Sequence, residues 1–183
     1  MSVINKSEEA KTNIMDICDY LSKFFKDAHF DVISKIIQKY LIKNEHFFVL
    51  GKGQNYYITL EAALKMKEAT YKHFEGFAAG ELKHGVIALI EKNTPVFVIV
   101  SNDQYKADLL SAAAQVKARG AKVIAIAKEN NQLYDEFIEL KSFGNADSIV
   151  NIIPFHLLSY NLSVKLGLDP DKPRNLAKSV TVK

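Results

Sequence analysis

Apolar residues recur at helical spacing in the first quarter of the chain. From Ser7 to Ala28 they stand three or four positions apart, which places them in one stripe along a helix. A second stripe runs from Val32 to Leu41 and ends before the charged segment Lys43–Glu45. The pattern therefore predicts two helices ahead of the first strand.

Short, uninterrupted apolar runs predict buried strands further along. The strand candidates are His46–Leu50, Pro95–Val100 and Lys122–Ala127, with a weaker one at Phe137–Lys141. They do not alternate with polar residues, as expected for a parallel sheet covered by helices on both faces. Three helical patterns separate or follow them: Thr59–His73, Gln104–Arg119 and Asp147–Leu166.

This alternation of strands and helices predicts an α/β fold with a doubly wound parallel sheet, a flavodoxin-like three-layer sandwich. With 183 residues, 48% of them hydrophobic, the chain is long enough for one buried core. We divide it into N-terminal helices (1–45), the α/β domain (46–167) and a C-terminal tail (168–183). The tail contains Pro170 and Pro173 and no periodicity, so composition alone predicts that it is unstructured.

Composition and charge exclude several classes of function. The net charge of +3 is spread along the chain, without the Lys/Arg stripe that a nucleic-acid backbone would require. No apolar run approaches the roughly 20 residues of a membrane span, and no signal peptide is visible, so we expect a cytoplasmic protein. Cys18 is the single cysteine, which favours a reducing compartment, and it is predicted to be a small core residue. The histidines share no metal-ligand spacing, so no metal is expected.

Two segments have a composition typical of functional sites. Gly51-Lys52-Gly53 follows a strand and precedes a helix, where an anion can approach the backbone, although a simple tight turn explains it equally well. The third glycine of a dinucleotide fingerprint is missing, so no nicotinamide or flavin cofactor is expected. In Phe77–Gly85, small residues around His84 predict close backbone packing about an imidazole.

Charged residues also share one face of the helix after the first strand. Glu61, Lys65 and Glu68 stand four and three residues apart, so their side chains are neighbours on that helix. Such a ladder is either a solvated surface or part of a site. The spacing alone leaves both interpretations open.

Four segments together carry a resemblance to a known family. They are Gly51-Lys52-Gly53, the helix Leu60–Glu68, the segment Ala78–Gly85 and the ending Pro173–Val182. In order and spacing they resemble the C-terminal sugar isomerase (SIS) domain of the glucosamine-6-phosphate synthase family, the isomerizing glutamine:fructose-6-phosphate aminotransferases. The match extends from about Phe47 to the end of the chain, and its last segment is the most specific.

The resemblance implies an activity and its residues. In that family, ammonia from glutamine is transferred to fructose 6-phosphate, and the imine is isomerised to glucosamine 6-phosphate for amino sugar (UDP-GlcNAc) biosynthesis. By resemblance, Lys178 forms a Schiff base with the open ketose, Glu68 moves a proton between C1 and C2, and His84 helps to open the sugar ring from the neighbouring subunit. Lys65 and Ala177 match substrate-binding positions. The implied partners are a second copy of the chain, a first SIS domain and a glutaminase domain.

The resemblance also changes the prediction for the tail and has limits. A Schiff-base lysine must be held in place, so the tail becomes an ordered catalytic segment. Ser2 replaces the glutaminase cysteine, and the family's serine- and threonine-rich phosphate cradle is missing, so only the isomerase part is represented. Lys52 and Val86 stand where the family usually has arginine and proline.

Several questions stay open at the level of the sequence. The chain is either a trimmed piece or the product of a split gene, and its N-terminal helices are similar to those that join the two isomerase domains. Whether it is active alone is not determined. Two other interpretations remain: a non-catalytic sugar-phosphate-binding SIS module, and an amino-sugar deaminase or deglycase.

Overall fold

The structure, a computed structural model, describes residues 14–25 and 29–175. Its strands are β1 His46–Gly51, β2 His73–Ala78, β3 Pro95–Val100, β4 Lys122–Ala127 and β5 Glu136–Glu139. Its helices are α1, described over residues 14–24, α2 His29–Ile36, α3 Gln54–Thr70, α4 Lys106–Lys117, α5 Asp147–Asn151 and α6 Ile153–Lys165. A wide π-helical turn, Ile37–Leu41, continues α2, and two 3-10 segments, Ala79–His84 and Val86–Leu89, follow β2.

The five strands form one parallel sheet in the order β2-β1-β3-β4-β5. The chain moves outward from β1 to β2, and then returns to the other side of β1 to place β3, β4 and β5. This is the doubly wound α/β fold that the sequence predicts. The strand order reverses between β1 and β3, so a crevice opens there at the carboxyl ends of the strands.

Alternate residues of the strands contribute their side chains to two separate hydrophobic cores, one on each face of the sheet. Phe47 and Val49 face α1, α2, α3 and α6, whereas Phe48 and Leu50 face α4 and the first 3-10 segment. Because both faces of the sheet are covered, the central strands β1, β3 and β4 are apolar along most of their length. Burial of each large apolar side chain stabilises the fold by about 1.5–3 kcal/mol. The result is three layers with α3 and α4 on opposite sides.

Strand β2 is a correction to the sequence prediction, which continued the preceding helix to His73 and left the next residues without regular structure. Glu75 and Gly76 interrupt its apolar run, so the pattern of a buried strand is lost. The strand forms at the edge of the sheet because Phe74 stacks on Phe47, with ring centroids 4.2 Å apart and an interplanar angle of 9°.

Gly76 permits the close approach of α3 to this edge strand. A Cβ atom at position 76 would lie 2.6 Å from the backbone oxygen of Thr59 in α3. The glycine that weakens the strand pattern in the sequence is therefore required by the packing of a helix on the strand.

Further differences have local causes. The helix predicted as Asp147–Leu166 is two helices, because Pro154, in the first turn of α6, lacks the backbone N–H that would continue the hydrogen bonding of α5. Helix α3 begins at Gln54, five residues before the predicted start. Cys18 is exposed, so its prediction as a core residue is wrong. The weak fourth strand is present as β5. Within the described residues, no helix is both long and apolar enough to cross a membrane.

Candidate active site in a groove at the end of helix α3

Helix α3 presents the predicted charged residues to one side of the molecule. Ala62, Ala63 and Met66 are buried against the sheet, which fixes the rotation of the helix. Glu61, Lys65 and Glu68 consequently point away from the core, with side chains between one-third and one-half exposed. The small alanines allow the helix to pack closely and hold this orientation.

Lys65 and Glu68 form a direct pair. The Lys65 Nζ donates a hydrogen bond to Glu68 Oε2 at 2.7 Å, and Glu61 Oε1 lies 3.8 Å from the same ammonium. The hydrogen bond to Glu68 is the main reason that the pKa of Lys65 is raised above its usual value. The ammonium therefore stays charged beside the carboxylate at neutral pH.

His156 of α6 is a neighbour that the sequence did not place here. Partial burial lowers the pKa of its imidazole, and Glu61 raises it less than burial lowers it. The imidazole is therefore mostly neutral at pH 7. This side chain comes near Glu61 and Lys65 only because α6 packs on α3. No spacing in the sequence therefore indicates that His156 lies here.

A groove of about 540 Å³ opens beside Glu68. Its lining comes from the end of α3, the start of β2 and the last described residues: Leu64, Lys67, Glu68, Tyr71, Lys72, His73, Arg174 and Asn175. Three cationic side chains and one carboxylate thus face a single groove. Lys72 is buried, and its ammonium is held by the backbone oxygens of Ile42 and Asn44 and by Glu45. Lys67 and Arg174 are the exposed cations.

Tyr71 joins the end of α3 to the C-terminal segment. Its hydroxyl accepts a hydrogen bond from the backbone N–H of Arg174 at 2.7 Å, and the guanidinium lies 4.2 Å from the centroid of its ring. The sequence did not single out Tyr71. Ala177 and Lys178, which the sequence assigned to the site, lie outside the described residues.

His84 lies in another groove. It ends the 3-10 segment Ala79–His84, is exposed, and shares a groove of about 300 Å³ with Lys52, Asp108 and Gln115. Added Cβ atoms at the neighbouring glycines of this segment would meet no atom within 4 Å. The predicted close backbone packing about this imidazole is therefore wrong.

Comparison with known proteins identifies the family. Residues 40–166 match the SIS domain. The chain belongs to the SIS domain family. Over 154 residues it is 46% identical to the glutamine–fructose-6-phosphate aminotransferase [isomerizing] of Streptococcus agalactiae serotype V, an alignment that covers 83% of this chain and 26% of that protein. The chain thus spans about a quarter of the length of the curated relatives it matches.

Two solved structures extend the comparison. The C-terminal domain of glucosamine-fructose-6-phosphate aminotransferase from Francisella tularensis superposes with a TM-score of 0.68 at 35% identity, over 78% of this chain and 42% of that one. Glucosamine-6-phosphate deaminase from Thermotoga maritima gives 0.65 at 27% identity, over 82% and 45%. Each of these chains is about twice as long as the part that matches.

In this SIS domain, other atoms of the chain fill the space around the turn after β1. A Cβ at Gly51 would lie 2.4 Å from the Asn55 backbone oxygen, and one at Gly53, where φ is 61°, would lie 2.5 Å from the Tyr105 ring. Lys52 is paired with Asp108. Of the two interpretations of this turn, the tight strand-to-helix connection accounts for both glycines.

The crevice between β1 and β3 is polar but does not suit an anion. It holds about 660 Å³ and includes Ser101, Asn102 and Ser142, together with the carboxylates of Asp103 and Asp147. No Lys or Arg among the described residues lines it. Among residues 14–25 and 29–175 there is also no group of three or more His, Cys, Asp or Glu that fits a metal ion.

Proposed function

We propose that this chain is the second sugar-isomerase domain of a glucosamine-6-phosphate synthase, converting fructose 6-phosphate and glutamine-derived ammonia to glucosamine 6-phosphate. The main support is the groove at the end of α3, where the Lys65–Glu68 pair lies next to the segment that leads to Lys178. The 46% identity to the streptococcal aminotransferase over 154 residues supports the same assignment. The proposed activity is that of the complete enzyme, to which this domain contributes part of the site.

The proposed chemistry begins at Lys178. Its neutral amine attacks the C2 carbonyl of the open ketose, and loss of water gives an imine. Ammonia then displaces the lysine to leave the sugar imine. Glu68 removes a proton from C1, the electrons of that C–H bond form the C1–C2 double bond of the enolamine, and the imine nitrogen takes up a proton. Glu68 then returns its proton to C2 while the C1 hydroxyl gives up its proton, which leaves the C1 aldehyde and the C2 amine. In this proposal the ammonium of Lys65, whose pKa is raised, offsets negative charge on the C1 oxygen.

The length of chain between Arg174 and Lys178 limits how far the lysine can lie from this groove. Arg174 lies in the groove, and Lys178 is four residues further along the chain. Four residues extend at most about 14 Å, so the backbone of Lys178 stays within that distance of the backbone of Arg174. Ala177 precedes the lysine directly, which supports its role in contacting the same substrate.

The fold supports a contribution of His84 from a second subunit. Helix α3 packs on one face of the sheet, whereas Ala79 and Leu82 of the segment that carries His84 belong to the core on the other face. Glu68 and His84 of one subunit line separate grooves. A homodimer in which the imidazole reaches the partner's groove would combine the two.

An exposed apolar stripe beside the groove supports a first isomerase domain as a further partner. The stripe consists of exposed side chains from α3 and α6: Tyr57, Leu60, Leu64, Tyr160 and Val164. Leu64 also lines the groove that contains Glu68. Because the Francisella chain is about twice as long as its matching part, we propose that the preceding domain covers this stripe and supplies the phosphate-binding residues.

Borohydride trapping tests the proposal. Fructose 6-phosphate and borohydride are added to this chain alone, and then to the chain with the first isomerase domain, and modified peptides are mapped by mass spectrometry. We expect a reduced adduct on Lys178, with a higher yield when the first domain is present. If no adduct forms even with that domain, the non-catalytic sugar-phosphate-binding module is the better assignment.

The match to the Thermotoga deaminase favours one alternative, an enzyme that releases ammonia from glucosamine 6-phosphate. The same Schiff-base and proton-transfer groups would serve that direction. Ammonia release from glucosamine 6-phosphate without glutamine, at a rate above that of aminosugar synthesis from ammonia, would support the deaminase and contradict the synthase.

A further inference from the structure

Tyr71 ends helix α3 in an unusual backbone conformation. Its φ of 59° and ψ of 13° are left-handed, and its N–H closes the helix on the Lys67 backbone oxygen. Glycine or asparagine usually occupies such a position, because a larger side chain in this conformation is unfavourable by roughly 1–2 kcal/mol. A bulky residue at a strained position motivates the hypothesis that its side chain has a task there.

The contacts of Tyr71 indicate what that task is. Its hydroxyl binds the backbone N–H of Arg174, and its ring stacks under the guanidinium of the same residue. Two different parts of one aromatic side chain therefore hold one residue of the C-terminal segment. The contact joins positions 103 residues apart in the chain.

Tyr71 also stands in a fixed relation to the proposed base. It follows Glu68 by three residues and comes directly after Thr70, the last residue of α3. Both line the groove that contains Arg174. A segment held by Tyr71 is therefore held beside Glu68.

We propose that Tyr71 is a positioning residue that anchors the C-terminal segment through Arg174 and so keeps Lys178 within reach of Glu68. The proposal rests on the proposed function for the role of Lys178. The gain is in conformational entropy: with Arg174 fixed, four residues separate Lys178 from the anchor, so the chain loses less freedom when the amine reacts with the sugar carbonyl. Tyr71 need not touch the substrate.

The test compares two substitutions of Tyr71 with a matched control. Tyr71→Phe removes only the hydroxyl, whereas Tyr71→Asn removes the ring and suits the left-handed backbone. Tyr134→Phe makes the same chemical change at a half-buried position outside both the groove and the exposed apolar stripe. Three properties are measured for the chain with the first isomerase domain: hydrogen exchange of the Arg174 amide, the rate of borohydride trapping at Lys178, and the thermal unfolding midpoint.

We expect Tyr71→Phe to speed exchange of the Arg174 amide about fivefold to tenfold, because one hydrogen bond is lost, and to slow trapping at Lys178 by a similar factor. Tyr71→Asn should reduce trapping further while its midpoint stays within about 4 °C of the parent. The Tyr134→Phe control should change none of the three. Loss of trapping without loss of stability separates positioning from a merely structural role.

Different outcomes overturn different claims. Unchanged exchange and trapping in Tyr71→Phe and Tyr71→Asn, with an adduct on Lys178 in the parent, would refute the anchor and leave the proposed function intact. If Tyr71→Asn lowers the thermal unfolding midpoint by more than about 4 °C and slows trapping as well, Tyr71 acts only in stability. Absence of any Lys178 adduct in the parent would refute the proposed function, while the exchange rates would still decide whether Tyr71 holds Arg174.

Discussion

At the scale of single residues, the Lys65–Glu68 pair is the most informative contact. An exposed ion pair contributes little to stability, about 0–1 kcal/mol, so stability alone is a weak reason for this arrangement. The pair places an ammonium 2.7 Å from a carboxylate at the mouth of a groove. That geometry suits a base that takes a proton from carbon beside a cation that stabilises the resulting oxygen charge.

Replacing Glu68 by glutamine should separate two steps of the proposed reaction. We expect the Glu68→Gln variant to form the Lys178 adduct at close to the parent rate, because the amide keeps the size of the side chain. Exchange of the sugar's carbon-bound proton with solvent should fall by about 10²–10⁴-fold, because the amide cannot accept that proton. Proton exchange is followed by NMR in deuterated water.

Glu61→Gln is the matched control for that experiment. Glu61 lies on the same helix and 3.8 Å from the same ammonium, but it does not line the groove. Its variant should retain carbon proton exchange. Undiminished exchange in Glu68→Gln would remove Glu68 from the role of C1/C2 base.

At the scale of elements, a buried carboxylate ties the N-terminal helix α2 to the edge strand β5. Glu136 receives hydrogen bonds or ion pairs from Lys35 at 2.7 Å, Lys39 at 3.2 Å and Tyr40 at 3.1 Å. Burial by itself raises the pKa of this carboxyl, but the three donors outweigh it, and the pKa is lowered below its usual range. The carboxylate is therefore stabilised in its charged form by groups from a different element.

This linkage predicts a stability difference that depends on pH. Because the pKa of Glu136 is lower in the folded state, the unfolded chain binds more protons between the folded pKa and the ordinary value of about 4.3. The stabilisation is complete above that range and is lost as pH falls through the folded pKa. Glu136→Gln should lower the free energy of unfolding by about 1–3 kcal/mol at pH 7, and the difference from the parent should shrink below pH 4.

Denaturant unfolding at a series of pH values measures this effect. Glu139→Gln is the control, since Glu139 lies on the same strand but is exposed. It should change stability by less than about 0.5 kcal/mol at any pH. A Glu136→Gln difference that is equal at pH 7 and pH 3 would contradict the linkage.

Comparing the predicted helices and strands with the observed ones shows which of them the local sequence pattern can predict. The three central strands are present where their apolar runs predict them, because a strand covered on both faces must be apolar throughout. The edge strand β2 was missed, because an edge strand tolerates Glu75 and because Gly76 is required by a helix that only tertiary packing brings near. Pro154 divides the last predicted helix, a break that the residue type itself indicates.

At the scale of the whole molecule, the groove beside Glu68 and the groove of His84 lie on different sides of the sheet. This separation predicts complementation between two inactive variants of the complete enzyme. Mixing Glu68→Gln and His84→Ala subunits should restore part of the activity, at most about one intact site in each hybrid dimer. Activity is measured after the mixed subunits have been allowed to exchange.

The single variants and a subunit carrying both substitutions serve as controls for the mixture. The doubly substituted subunit mixed with either single variant should restore nothing, because no hybrid then contains both intact groups in one site. If the original mixture also recovers no activity, Glu68 and His84 act within one subunit, and the homodimeric arrangement we propose is wrong.

The sequence by itself determined the fold class, the central strands and the family resemblance, because these depend on local periodicity and on residues in a fixed order. It also placed Glu61, Lys65 and Glu68 on one helical face, since helix geometry fixes that relation. Only the tertiary structure brought Tyr71 to Arg174, His156 to the ladder and Glu136 to α2, and placed His84 away from Glu68. These relations join residues far apart in the chain, and they arise from the stacking of helices on a sheet, which no local spacing encodes.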